Sequence, residues 1–420
     1  MNAEIRALLL KFFKAAVDEA QPAKCLPDFL PDRSEGKIVV IGAGKASAAM
    51  AAVADKYYVG DLSGLVVTQY GYSVECGNID IIEAGHPLPD IAGQKAASKM
   101  LEKVSGLSAE DLVLCFISGG SSALLTLPSE GITLDEKKRI NELLIRSGAT
   151  INEINIVRKH LSRVKGGRLA RACVPAGLVT LLISDVIGDD VSVIGSGPTA
   201  PDPSTFEDAL AVLRKFNLIL PDSAMQILND KRDENPKPGD EIFNGNIIKT
   251  VANGAKSLEA AAKVAANLGV MPIILGDNIE GKAREIGKEM AKLALSINYK
   301  KPCVLLSGGE LTVSVTGAGE GGPNTEFLLS LALELNGAEG IFAIACDTDG
   351  IDGSGNNAGA IIGPDTLIRA KSLGVDIIDS LSQNDSFNFF KVLDDLVVSG
   401  PTYTNVNDFR AIVILNSQSL

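Results

Sequence analysis

Apolar, β-rich runs alternate with alanine-rich stretches of helical periodicity along almost the whole chain, and glycine turns stand at many of the joints. Strands in such an alternation can be buried only if the intervening helices cover them, so the pattern predicts an α/β protein with largely parallel sheets. At 420 residues the chain exceeds what one compact core accommodates, and two α/β domains are expected, 1–235 and 236–420. The spacing predicts an opening helix over 3–20 that can pack on either domain. Strands follow at Lys37–Ile41, Leu65–Thr68, Ile79–Glu83, Leu112–Ile117 and Leu178–Ser184, with helices from Lys45 and at Ile91–Val104, Leu134–Ser147, Ile151–Arg158, Arg163–Ala172 and Asp202–Phe216. The charged, proline-bearing stretch Asn229–Phe243 reads as a linker or exposed loop. Beyond it the alternation resumes: strands at Ile247–Val251, Met271–Leu275, Cys303–Ser307, Gly340–Ala345 and Ala411–Leu415, a hairpin-like Leu311–Val315, and helices at Ser257–Leu268, Lys282–Ile297, Thr325–Leu335 and Asp385–Leu396.

Charge excludes several function classes. With 39 basic against 52 acidic residues the net charge is −13, which argues against nucleic-acid binding and against attraction to anionic membranes. Any site for an anion must concentrate positive charge locally. The opening segment carries Glu4, Arg6, Lys11 and Lys14 among its apolar residues, unlike a signal peptide, and no uncharged run is long enough to span a bilayer. Six cysteines without a C-x-x-C pair point to buried thiols in a reducing cytoplasm, and two histidines are too few for a histidine-rich zinc site.

The chemistry-bearing residues cluster where predicted strands end. Lys37–Ala51 reads as strand, G-x-G turn and helix with Lys45 at its start, which makes the N-terminal domain Rossmann-like. A helix N-terminus offers free N–H groups to a phosphate; a solvated Lys45 is the alternative, though it opposes the helix dipole. After the next strand, Ser118, Gly119, Gly120, Ser121 and Ser122 can form a nest of backbone N–H groups for an anion, or an N-capped helix with a tight lead-in. A serine nucleophile is disfavoured because G-x-S-x-G is absent. His86, in the rigid loop Gly85–Asp90, is a substrate contact or a structural loop residue. Arg158, Lys159, Arg163, Lys165 and Arg168 gather the local positive charge. On a continuous helix Arg158, Ser162 and Lys165 would share a face, with Lys165-Gly166-Gly167 a point of interruption. Asp185, Asp189 and Asp190 follow a buried strand, where carboxylates bind Mg²⁺, accept a hydroxyl proton or cap a helix. In the second half, Glu310, Asn324 and Glu326 punctuate a glycine-rich segment. Asp347, Asp349 and Asp352 crowd the loop after Ile341–Ala345, a turn or a cation site.

Taken together, GAGKAS (42–47), GHPLPD (85–90), SGGSSALL (118–125), KGGRLA (165–170), SDVIGDD (184–190), SGPTAPDPSTF (196–206), SGGELTV (307–313), GGPNTEF (321–327), DTDGIDG (347–353) and GPTYTNVND (400–408) resemble, in order, the type II glycerate kinases. This is the glycerate 2-kinase family, whose C-terminal part is the MOFRL domain. The resemblance implies a two-domain enzyme that transfers the γ-phosphoryl of ATP to D-glycerate with Mg²⁺ or another divalent cation, in an interdomain cleft, yielding 2-phosphoglycerate on sugar-acid or serine/glyoxylate routes. It places the catalytic lysine at Lys45 and the acidic motif at Asp349 and Asp352. The reading adds Asp189 as base or metal ligand. It assigns His86, the Ser118–Ser122 nest, Arg158 and Lys165 to the substrate, and Glu310, Asn324, Asp349 and Asp352 to the nucleotide, with Asp189, Asp349 and Asp352 as metal ligands. Where many members carry arginine in G-G-R-N-Q-E, this chain has Pro323; Arg158 or Lys165 are the candidates to replace it. A homodimer is left open.

Two other classes are weighed against this. An NAD(P)-dependent hydroxypyruvate reductase needs a third glycine and an acidic residue at the end of the second strand; Ala46-Ser47-Ala48 follow the G-x-G, and Asp61 precedes that strand. A non-catalytic sugar-phosphate-binding module explains the serine–glycine nest but leaves the later acidic loops without a role.

Overall fold

The computed structural model describes residues 3–58, 60, 62–297 and 301–415. The chain parts into two compact units, Cys25–Val251 and a second one joining Met1–Lys24 to Ala252–Leu420.

The first unit contains strands β1 (Ile38–Ala43), β2 (Leu62–Gln69), β3 (Ile79–Ala84), β4 (Leu112–Ile117), β5 (Gly177–Ile183) and β6 (Ile247–Ala252). They form one sheet in the order β3-β2-β1-β4-β5-β6. β1 pairs in parallel with β2 and β4, Ile38 standing opposite Leu62 on one side and Leu112 on the other. β2–β3 and β4–β5 are parallel as well. All of β1 is buried, as expected of a parallel strand covered by helices. Val39 and Ile41 belong to the same core as Ala96 and Met100 of the helix Ile91–Val104 and Leu169 of the helix Arg168–Cys173. The strand order reverses at β1: β2 lies on one side and β4 on the other. Open α/β sheets bind ligands at such a switch point, beyond the carboxyl ends of the strands. The Lys45 and Ser118 turns stand there.

The second unit contains β7 (Met271–Gly276), β8 (Gly281–Lys282), β9 (Cys303–Gly309), β10 (Leu311–Thr312), β11 (Ile341–Asp347), β12 (Gly359–Ile362), β13 (Leu396–Val397) and β14 (Asp408–Ile414). Its main sheet runs β13-β12-β11-β14-β9-β7. Here the pairing is mixed: β7–β9 is parallel, whereas β9–β14, β14–β11, β11–β12 and β12–β13 are antiparallel. The cause is local. No helix separates β11 from β12, only the acidic loop, and across it the chain returns antiparallel. The opening helix Ala3–Glu19 packs in this unit, with Leu9, Phe12 and Phe13 joining Phe409, Ala411 and Val413 of β14 in one core.

Several local expectations give way to tertiary contacts. Leu311–Val315 is not a hairpin: β10 pairs in parallel with β8. The final helix is Ser386–Val392, and Leu396 lies in β13. The helix placed at Asp202–Phe216 is Phe206–Lys215, capped by the Thr205 side chain, so Pro203 lies outside it. Asn229–Phe243 is largely exposed, as expected of a loop, but it is anchored at its centre, where Asn235 is buried, accepts from Arg168 Nε (2.6 Å) and donates to Asp202 (2.8 Å). The helix Ile151–His160 stops before Ser162, so Arg158 and Lys165 share no continuous helical face. All six cysteines are free thiols. Among the described residues no helix is long and apolar enough to cross a membrane.

Candidate active site

In the first unit the turns after β1 and β4 are built against each other. Lys45 N–H donates to Gly119 O (2.9 Å), and Ala46 N–H donates to Ser118 Oγ (2.9 Å). The remaining amides of the G-x-G turn are also engaged, Gly44 N–H with Val67 O (3.0 Å) and Ser47 N–H with Gly44 O (3.1 Å). The glycines are explained by this contact: a Cβ on Gly42 would lie 2.1 Å from Phe116 O, and one on Gly44 2.2 Å from Ser118 Oγ. The turn that a dinucleotide-binding protein keeps open for pyrophosphate is here closed on its neighbour. Asp61, the candidate ribose ligand of that reading, lies outside the described residues.

The Ser118–Ser122 turn is differently disposed. Its internal bonds use Ser118 N–H, given to Ala43 O, and Ser121 N–H, given to Ser118 O. The amides of Gly119 and Gly120 have no backbone partner among the described residues. Gly120 adopts φ +80°, and a Cβ there would meet the His86 ring at 2.9 Å. The histidine of the GHPLPD loop therefore packs directly on the nest.

Beyond Ser122 lies a cavity of about 120 Å³ whose lining includes Ser122, Lys137, Asn141, Arg158 and Lys165. Apolar side chains, Ile132, Ile140 and Leu161 among them, complete it, and among the described residues no carboxylate lines it. Three basic side chains thus converge with no counter-charge in the lining among the described residues. Arg158 Nε donates to Asn141 Oδ1 (3.0 Å). Lys165 is 2% exposed and donates to the carbonyls of Ser122 (3.0 Å) and Gly195 (3.1 Å). Burial, then repulsion from Lys137 and Arg158, pushes the Lys165 amine well below the usual lysine range. Burial, with Arg158 and Lys138 beside it, brings Lys137 down to about 8; burial also lowers Arg158. Such mutual repulsion is relieved when an anion binds.

The loop after β5 closes this region. Gly195 supplies a carbonyl to Lys165, and Ser196 Oγ lies 3.0 Å from Ser122 Oγ and donates to Asn155 (3.3 Å). Asp189, half-buried with φ +53°, stands earlier on the same loop, and Asp190 Oδ1 accepts from Ser192 N–H (2.8 Å). Lys45, His86, Ser118–Ser122, Arg158 and Lys165 are thus joined through successive contacts, with Asp189 on the adjoining loop.

In the second unit the acidic loop is largely engaged with itself and its neighbours. Asp347 Oδ1 accepts from Asp349 N–H (2.8 Å), and Asp349 Oδ1 accepts from Ile351 N–H (2.8 Å). Asp352 is 1% exposed and accepts from the amides of Asn324 and Thr325 (both 2.9 Å) and from Thr325 Oγ1 (2.7 Å). Its carboxylate caps the helix Pro323–Leu335, whose N-terminal dipole favours an anion there. A Cβ on Gly322 would meet Asp352 Cγ at 2.4 Å, so the approach requires glycine. Burial nevertheless pushes Asp352 up to about 6. Asn324 Nδ2 donates to Asp408 Oδ1 (2.6 Å), while its own Oδ1 is buried without a partner among the described residues. Asp408 in turn pairs with Arg410 (3.0 Å), a fully buried guanidinium near the Phe327 ring. Glu310 is exposed beside β10. On the helix that Pro323 opens, Glu326 is paired with Arg284 (2.9 Å).

These placements bear on a divalent cation. Among the described residues no three His, Cys, Asp or Glu side chains converge as a metal cage. Both Asp352 oxygens serve the helix, which makes it an anchor and not a free ligand. Mg²⁺ carried by a nucleotide, however, keeps several waters and takes only one or two protein carboxylates, a demand that Asp189 or Asp349 fits. Lys137, Asn141, Ser196 and Asp408 were not singled out from the sequence. Lys137, Ile140 and Asn141 do show helical spacing, but only the fold reveals that their face meets Arg158 and Lys165.

Two family models match successive stretches of the chain. Residues 8–229 match a family model described as a domain of unknown function, DUF4147, and residues 303–408 match the MOFRL family. A protein of Agrobacterium vitis named, provisionally, a hydroxypyruvate reductase is 52% identical over 97% of this chain and 94% of its own. The D-glycerate 2-kinase of Thermotoga maritima is 38% identical over 96% of this chain and 97% of its own. A crystal structure of glycerate kinase from Thermotoga maritima superposes with a TM-score of 0.91 at 37% identity, covering 99% of this chain and 100% of that one. With the motifs, the fold and these matches in agreement along nearly its whole length, the chain belongs to the glycerate 2-kinase family that ends in the MOFRL domain.

Proposed function

We propose that the protein transfers the γ-phosphoryl group of ATP to the 2-hydroxyl of D-glycerate, giving ADP and 2-phosphoglycerate on a sugar-acid or serine/glyoxylate route of central carbon metabolism. The observation that carries this reading is the pairing, at one switch point, of the Lys45 and Ser118 turns with a cation-lined cavity. Phosphoryl transfer asks mainly for positioning and charge neutralisation. Lys45 neutralises the transferring group, and the Gly119 and Gly120 amides hold an anionic oxygen. His86 positions the nest. Asp189 accepts the proton as the acceptor oxygen attacks phosphorus and the bond to the β,γ-bridging oxygen breaks. Asp349 serves the nucleotide side together with Asn324 and Glu310, and Asp352 holds the helix that carries Asn324. Mg²⁺ bound with ATP supplies charge neutralisation at the phosphates.

The reductase name borne by relatives finds little support in the β1 turn, whose amides are already engaged. The test sets ADP release with D-glycerate and ATP beside NADH oxidation with hydroxypyruvate. Glycerate-dependent ADP release, lost with EDTA and restored by Mg²⁺, supports the kinase; NADH oxidation without ADP release refutes it. Phosphorus NMR of the product distinguishes the 2-phosphate from the 3-phosphate.

A further inference from the structure

We propose that Lys137 is the specificity-determining residue for the acceptor: the cavity beside Ser122 takes a small 2-hydroxy monocarboxylate, and Lys137 with Arg158 reads its carboxylate. This rests on the phosphoryl-transfer reading above and names where the acceptor sits and what selects it.

The cations of the cavity are not equivalent. Lys165 donates to two backbone carbonyls and thereby ties the Ser122 turn to the Gly195 loop. It acts as a positioning residue. Arg158 gives Nε to Asn141 and keeps the rest of its guanidinium for another partner. Lys137 has no ion-pair partner among the described residues, although it lines the same cavity. In a chain of net charge −13, leaving this amine beside two further cations makes sense when an anionic ligand completes the set.

Size and shape narrow the ligand. A volume of about 120 Å³ is well under the roughly 300 Å³ at which ordinary cofactor pockets begin, so a three-carbon acid fits and a nucleotide does not. Ile132, Ile140 and Leu161 make part of the wall apolar, which disfavours acids carrying a second charge. Lys137 is held in place by a well-formed helix, Leu134–Arg146, whose Thr133–Glu136 capping box fixes its first turn. A positively charged side chain on such a rigid element is suited to reading one carboxylate.

The experiment compares Lys137→Met, Lys137→Arg and Asn141→Asp with the parent enzyme in steady-state kinetics. D-glycerate and ATP are varied separately, and glycerol is the uncharged acceptor. Lys137→Met should raise KM for D-glycerate by about 30-fold, the effect of removing a charge-assisted hydrogen bond, with KM for ATP within about twofold. Discrimination between D-glycerate and glycerol should shrink by the same factor. Lys137→Arg should recover much of the loss. Asn141→Asp adds a carboxylate at nearly constant volume and should weaken D-glycerate alone, an arm that stands even if Lys137→Met fails to fold. Unchanged KM for D-glycerate in both Lys137→Met and Asn141→Asp overturns the proposal. A rise confined to KM for ATP overturns it as well, by giving the cavity to the nucleotide. Calorimetric titration of D-glycerate separates the two levels of inference. Binding that Lys137→Met abolishes, in an enzyme that releases no ADP, upholds the cavity assignment and removes the kinase reading.

Discussion

The acidic loop of the second unit and the cationic cavity of the first present opposite ways of keeping charge inside a protein. Asp352 is as buried as Lys165, yet its oxygens meet two amides and a hydroxyl at a helix N-terminus. Lys137, Arg158 and Lys165 meet one another, two carbonyls and a single amide oxygen. A buried charge that is fully hydrogen-bonded is architecture; charges of one sign that face each other await a ligand. Sequence alone shows the first as a short run of charge beside glycines, whereas the second is assembled from residues of separate helices.

Four measurements would break or sharpen this contrast. The largest effect is expected from Lys45→Ala, which should lower kcat by about 1,000-fold or more without altering the circular dichroism, as removal of a transition-state charge contact does. Near-normal turnover in a folded variant would remove the centre of the proposed mechanism. Next, Asp352→Ala should destabilise the second unit by about 3 kcal/mol, because the helix amides and Thr325 lose a buried acceptor. Urea unfolding followed by hydrogen exchange in peptides of β11 and β14 measures this, and peptides of β1 and β4 serve as the internal reference. A variant whose main defect lay in turnover, with stability intact, would return Asp352 to the chemistry.

The third measurement is the pH dependence of acceptor binding. Lys137, brought down to about 8, faces Arg158, Lys165 and Lys138 and no carboxylate among the cavity lining. KM for D-glycerate should therefore rise about tenfold per pH unit above 8, as one cation deprotonates, and Lys137→Arg should abolish that rise. The fourth is the pH dependence of stability. Asp352 is pushed up to about 6 by burial, so the folded state holds more protons than the unfolded one between pH 4 and 6, and its contribution to stability falls as pH rises through that window. Carboxylates of the first unit run the other way. Thr133 N–H lowers Glu136, and Lys215 lowers Glu153 to about 2, so their contribution is lost only as pH falls below about 4. Exchange corrected for intrinsic rates should show the second unit gaining protection from pH 6.5 to 4.5 while the first changes little.

The strand–helix alternation made most of the first sheet legible in advance, because helices separate β1 from β2, β3 from β4 and β4 from β5 and left their own periodicity; only β2 and β3 are joined without one. The second sheet was less legible. β14, near the end of the chain, inserts between β9 and β11, and no local pattern announces so distant a pairing. The same division holds for the site. Lys45 and the Ser118 nest were visible because glycine turns at strand ends have a physical signature. The meeting of Lys137 with Arg158 and Lys165 was not, since the helical spacing that suggested Arg158 and Lys165 as neighbours breaks at Leu161. They converge by tertiary folding instead. The hydrogen bonds of Asp352 are illegible for a related reason: the groups that meet it, Asn324 and Thr325, come from a different stretch of chain.

The capped helix that carries Lys137, Ile140 and Asn141 has a consequence for how such enzymes diversify. Its cavity-facing side chains are separate from the Lys45 and Ser118 turns, which interlock residue by residue and tolerate little change. On the proposed assignment, substitutions on that one helix face would retune which acid is accepted and leave the Lys45 and Ser118 turns as they are. An engineer seeking a kinase for a different hydroxy acid would begin by exchanging residues 137, 140 and 141 together.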